Sequence, residues 1–218
     1  MRLHRSEIAL PAGDLRLDGI LTEPRRPPGV IVVTERIGRR LDETRGAVIA
    51  SVLQEVGFAT LQVGLLSFEE GQRAPETWNQ VPTLCARITA VADWIRHQPT
   101  LKHLPVGIVA RDVAAAAMIR IGAGADAPFR ALVGRDARPD LAGLEPLRNL
   151  VIPLLLVVGG RDAQSLPANR QAFSQLDGPR KLAIIAGATG GFKEPGALDE
   201  AMQHIVGWFV RWLAADRD

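Results

Sequence analysis

The sequence predicts an α/β fold: a mainly parallel sheet with an N-terminal antiparallel hairpin and helices on both faces. Three observations carry this expectation. Six short runs of aliphatic and β-branched residues recur along the chain, as strands covered on both faces require. Amphipathic segments of helical length separate most of them, and that alternation specifies parallel strands joined by right-handed crossovers. Ahead of the first run the pattern is different, with apolar and polar residues alternating around a Gly-Asp step.

That first stretch, "EIALPAGDLRLDGILTEP", reads as an antiparallel hairpin turning at Gly13-Asp14, at an edge of the sheet. The strand runs are "GVIVVT" (29–34), "FATLQV" (58–63), "VGIVA" (106–110), "RALVG" (130–134), "IPLLLVVG" (152–159) and "KLAIIAG" (181–187). Helices are expected at 42–57, 80–97, 112–122, 166–176 and 196–213. No internal repeat or low-complexity linker interrupts them, and the Pro/Gly clusters at 24–29 and 71–75 are loop-sized, so residues 1–218 are read as one domain. A hydrophobic content of 47% is ample for its core.

Composition excludes several classes of function. The 26 basic and 24 acidic residues are spread along the chain and leave a net charge of +2, with no basic stripe of the kind that binds nucleic acid. The longest apolar run, near "LVIPLLLVVGG", is about half of the roughly 20 residues a membrane helix needs. Cys85 is the single cysteine, placed by helical period on a packed face as a core thiol. With no internal disulfide possible and no apolar leader in "MRLHRSEIAL", a cytoplasmic location is expected.

In open parallel sheets the ligand crevice lies at the carboxyl ends of the strands. The residues there are Glu35-Arg36, Arg111-Asp112, Arg135-Asp136 and Arg161-Asp162, four adjacent Arg/acid pairs on one rim. In "VGIVARDVAAAAM", Asp112 falls between a buried strand and an alanine-rich helix, with Ala110 and Ala114 as the small neighbours that a sharp strand-to-helix elbow needs. The elbow pattern is GxSxG, in which the turn exposes a nucleophile and the next backbone N–H helps to build an oxyanion hole. Here the frame reads Ala-Arg-Asp-Val-Ala, so Val113 would supply that N–H.

The segments "LPVG" before the elbow, "RPDLAG" at 138–143, "VVGGRD" and "GATGGFKEPGAL" resemble the dienelactone-hydrolase-like branch of the α/β-hydrolase superfamily, from about residue 15 to 213. The resemblance implies a single α/β-hydrolase domain without a large cap, with Asp162 at the position of the catalytic acid. It also implies a nucleophilic Ser or Cys where Asp112 stands, and a histidine where the loop has Gly190. "TERIG" resembles the segment in which dienelactone hydrolases carry a glutamate, here Glu35. Relatives of this domain also occur fused to phosphoribosyltransferases, a part this chain is expected to lack.

In a nucleophile–His–acid triad the histidine carries the proton, so its loss removes the relay. Three readings remain open. Asp112 could attack carbon directly, as the elbow aspartate of haloalkane dehalogenases and epoxide hydrolases does, although those families hydrolyse the ester with the missing histidine. Glu35, Asp112 and Asp162 could act together as acid and base, with one pKa raised by like charge. Such enzymes would be hydrolases, dehalogenase-like, or cofactor-free isomerases or lyases; the reading adopted from the sequence is a pseudo-hydrolase that binds a small ligand or a protein partner. His4, His97, His103 and His204 all fall away from the elbow, and no ligand spacing supports a metal or cofactor. The predicted crevice is lined by Glu35, Arg36, Arg111, Asp112 and Asp162, bordered by the loop 65–80 with Phe68 and Trp78 as apolar walls. Abundant arginine favours a small organic anion as ligand.

Overall fold

The structure, a computed structural model, describes residues 3–38, 40–73 and 80–214. Eight described strands form one sheet in the order β1-β2-β4-β3-β5-β6-β7-β8. β1 (Leu3–Ala12) and β2 (Leu15–Pro24) make the edge hairpin, closed by a two-residue turn whose first residue, Gly13, has φ +63. β2 also runs antiparallel to β4 (Ala59–Leu66). From β4 onward through β3 (Val30–Ile37), β5 (Val106–Arg111), β6 (Ala131–Ala137), β7 (Leu154–Gly159) and β8 (Arg180–Ile185), every pairing is parallel.

The long helices are α1 (Arg45–Glu55), α3 (Val81–His97), α4 (Asp112–Gly122), α6 (Ser165–Gln175) and α7 (Ala197–Leu213). Two short ones, α2 (Phe68–Arg73) and α5 (Leu144–Asn149), lie in segments that the sequence pattern leaves as loops. Strand alternation divides the core into two layers. Val30, Val32, Ile108, Ala110, Leu154 and Leu156 pack toward α3 and α4. Ile31, Val33, Val109, Leu155 and Val157 pack toward α1 and α7 on the other face. In α4 the run Ala114–Ala117 is fully buried, and these short side chains let the helix lie close to the sheet behind the elbow.

Two boundaries differ from the sequence reading in a way that shapes the site. β6 does not stop at Gly134; it continues through Arg135 and Asp136 to Ala137, which forms a parallel bridge with Asp112. Buried Asn169 of α6 donates through Nδ2 to the Ala137 carbonyl at 2.8 Å, fixing that extension from the other side. β3 likewise runs on to Ile37, so Glu35 and Arg36 are strand residues.

Candidate active site at the strand ends

Asp112 is the first residue of α4 and takes φ +50 at the end of β5. A left-handed backbone at a residue bearing a Cβ costs roughly 1 kcal/mol, and aspartate is among the few residue types that enter that region with any frequency. The neighbouring strand repeats the feature. Asp136 of β6 has φ +45, and Arg111 and Arg135, each preceding its aspartate, are register partners.

Asp136 is buried. Its Oδ2 accepts the Gly191 N–H at 2.9 Å, while Oδ1 is buried without a partner. Burial pushes its carboxyl above the ordinary aspartate range, against the charges of Arg135 and Arg111 and the Gly191 hydrogen bond. Asp162 stands across the opening, where its Oδ1 accepts the N–H groups of Gln164 (3.1 Å), just before α6, and of Ser165 (2.9 Å), its first residue. A Cβ placed on Gly190 would lie 3.0 Å from Asp162 Oδ2. The loop position where the family's histidine is expected therefore adjoins the acid.

These groups surround a cavity of about 540 Å3. Its acids are Asp112, Asp136 and Asp162; its cations are Arg45, Arg111, Arg135, Arg138 and Lys193. Of the expected wall, Arg111, Asp112 and Asp162 line it, and Glu35, Arg36 and Phe68 do not. The carboxylate of Glu35 turns to the start of α1 and accepts the Gly46 N–H at 2.9 Å. From there it still acts on Arg135 through its charge. Arg36 is half-buried with its Nε unpartnered, and Phe68 opens α2 with its ring exposed. Val113 is buried in the first turn of α4, and Trp78 lies outside the described residues.

None of the four histidines lines the cavity. His103 lies before β5, at the opposite edge of the sheet; His4 contacts Ser6 in β1; and His204 contacts Lys181, with burial pushing its pKa down. Among the described residues no cluster of three or more His, Cys, Asp or Glu is placed to hold a metal ion. No described helix is long and apolar enough to cross a membrane. Cys85 packs with its Sγ 3.6 Å from the Ala117 carbonyl, and burial raises its pKa.

An elbow residue at φ +50 on a mostly parallel eight-stranded sheet, facing an acid at the end of the next strand but one, defines the α/β-hydrolase class. The nearer affiliation comes from comparison with known proteins. The crystal structure of dienelactone hydrolase from Anabaena variabilis superposes with a TM-score of 0.89 at 31% identity, covering 98% of this chain and 100% of that one. A dienelactone hydrolase-like promiscuous phosphotriesterase from metagenomic libraries gives a TM-score of 0.74 at 17% identity, over 96% of this chain and 98% of that one. The chain belongs to the dienelactone hydrolase-like family of α/β-hydrolases. A Mycobacterium tuberculosis protein provisionally named a phosphoribosyl transferase is 35% identical over 211 residues, which is 97% of this chain. The chain spans only 47% of that relative's length. No protein-family model matches the chain.

Proposed function

We propose that this protein is a non-hydrolytic member of its family, one domain over residues 1–218, which binds a small organic anion in the cavity at the strand ends. The observation that carries the reading is Gly190 beside Asp162: where a base would pass a proton between nucleophile and leaving group there is no side chain, and no imidazole lines the cavity. Arg111, Arg135 and Lys193 face the ligand, and Asp112 occupies the elbow as a charged wall residue. The lone cysteine supports a reducing, cytoplasmic setting. The transferase activity in the name of the M. tuberculosis relative is not carried over to a cavity built in a hydrolase-like frame; a protein partner remains part of the proposal.

A second reading makes the protein an enzyme that uses Asp112 and its neighbouring carboxylates. What favours it is Asp136, a buried carboxyl held above its ordinary range beside Asp112, in the role the sequence had suggested for Glu35. Hydrolysis of p-nitrophenyl acetate separates the two. The first reading expects the protein and its Asp112→Ala variant to hydrolyse the ester at the same background rate. A rate that collapses in the variant establishes the second.

A further inference from the structure

The five cations of the cavity come from four separate segments: Arg45 begins α1, Arg111 ends β5, Arg135 lies in β6 with Arg138 just after it, and Lys193 lies in the loop after β8. A single charged helix face or a basic run in the sequence cannot produce that convergence. Arg138 is already committed, since its guanidinium forks onto Asp140 at 2.9 and 2.7 Å. Arg45 gives one donor to the Phe192 carbonyl at 3.0 Å.

Arg135 is the informative one. Its side chain is 4% exposed, its ion pair with Asp136 spans 3.8 Å, and its Nε is buried without a partner. Burial, with the charges of Arg111 and Arg45 adding to it, lowers its pKa against the opposing pull of Asp136 and Glu35. Cations crowded together with donors unspent are costly in a folded protein, and a bound anion offsets that cost.

The charge balance indicates which kind of anion. Setting aside Arg138, which is neutralised by Asp140 outside the cavity, four cations and three acids line it, with Glu35 acting on Arg135 from outside the cavity. Burial weakens the share of Asp136, and Asp162 spends one oxygen on the N–H groups at the start of α6. The N-terminus of α4, an 11-residue helix, opens at the same place and adds partial positive charge. A planar monoanion is satisfied by one guanidinium fork, whereas a tetrahedral dianion accepts donors from several directions.

We propose that this cavity binds the phosphate group of a small phosphomonoester, held by Arg111, Arg135 and Lys193 over the start of α4. The proposal rests on the anion-binding reading and names its ligand class. At about 540 Å3 the cavity exceeds what a phosphate group alone fills and leaves room for an organic remainder.

Titration calorimetry on the intact protein at constant ionic strength tests it, with inorganic phosphate, acetate, glycerol 3-phosphate, glycerate and glycerol as probes. Each phosphate compound is expected to bind at least about tenfold more tightly than its carboxylate counterpart, a difference of about 1.4 kcal/mol, with glycerol showing no binding. Inorganic phosphate is expected to displace glycerol 3-phosphate. Arg111→Gln, at an exposed position, is expected to weaken phosphate binding about tenfold while leaving the unfolding midpoint in place. Arg135→Gln is expected to weaken it further, and the Arg111 variant carries the test if the Arg135 variant does not fold. Carboxylates binding as tightly as phosphates would overturn the phosphate assignment and leave the anion-binding reading standing. Absence of phosphate binding, or an Arg111→Gln variant that binds phosphate as the parent does, overturns the proposal. The non-hydrolytic reading fails by a different measurement, Asp112-dependent ester hydrolysis.

Discussion

Arg111-Asp112 and Arg135-Asp136 are the same dipeptide on adjacent strands, with the arginines in register and both aspartates in left-handed backbone. The path of the chain beyond each pair makes them different. After Asp112 the chain turns into α4, leaving Arg111 exposed on the rim. After Asp136 the strand continues to Ala137, the Gly190-Gly191 loop closes over it, and both charges are buried. Identical local sequence therefore gives one pair that faces solvent and the cavity and another whose charges depend on each other. Burial is decided by the neighbouring loop and not by the dipeptide.

The sharpest way to break that contrast is to remove the arginines one at a time. Arg135→Ala leaves Asp136 buried without its counterion and is expected to lower the unfolding free energy by about 3 kcal/mol in urea titration. Arg111→Ala is expected to stay within about 0.5 kcal/mol of the parent. Equal losses would show that the two corners are energetically alike.

The exposed corner can be rebuilt. Asp112→Ser with Gly190→His restores a Ser–His–acid set around Asp162, and p-nitrophenyl acetate hydrolysis is expected to rise at least about a hundredfold above either single variant, because triad members act as a unit. The new Cβ at position 190 needs Asp162 Oδ2 to yield by a few tenths of an ångström. Adding Arg111→Ala relieves any crowding at the rim, and a folded triple variant with no activity would show that position 190 does not present its side chain to Asp162.

The buried corner should reveal itself through pH. Burial raises the folded-state pKa of Asp136, so the unfolded chain gives up this proton first and the folded protein holds more protons between the two values. This contribution lowers stability as pH rises from the ordinary aspartate range through the raised value. Asp136→Asn keeps an acceptor for Gly191 and suits φ +45, so its stability relative to the parent is expected to increase over that window. A difference independent of pH between matched urea titrations would refute the assignment.

The smallest contrast is conformational. Asp112→Gly removes left-handed strain of roughly 1 kcal/mol and adds unfolded-state freedom of similar size, so the backbone contributions nearly cancel and the expected loss is that of the Asp112 charge acting on Arg138, less than about 1 kcal/mol. Asp136→Gly also loses the Gly191 hydrogen bond and is expected to be about 1 kcal/mol less stable.

The exposed corner was legible in the sequence because its signal is local: Ala110, Asp112 and Ala114 lie within five residues, and an apolar run leads straight into them. The edge hairpin and the five long helices were readable for the same reason. The end of β6 was not, because the apolar run stops at Gly134 while the strand continues through two charges on the strength of the Asp112–Ala137 bridge and Asn169. Arg135-Asp136 was visible as a strand-end pair, but nothing local marks it as buried. Arg45, Arg138 and Lys193 reach the cavity only through the tertiary fold, and Glu35 looked like a wall residue until its partner, Gly46, was in place.

That partnership between Glu35 and Gly46 constrains how the protein can change over generations. Any side chain at position 46 would collide with the Glu35 carboxylate, so the glycine cannot be exchanged while the glutamate keeps its length and rotamer. Glutamate can be shortened first, at the cost of one hydrogen bond to the start of α1; in the reverse order the Glu35 carboxylate must swing away from position 46 and loses the same hydrogen bond. While the Glu35 rotamer is kept, the two substitutions at this pair are ordered in sequence space, with position 46 filled only after Glu35 has changed and emptied before Glu35 returns. A lineage that has lost Glu35 and filled position 46 cannot recover the original arrangement in a single step.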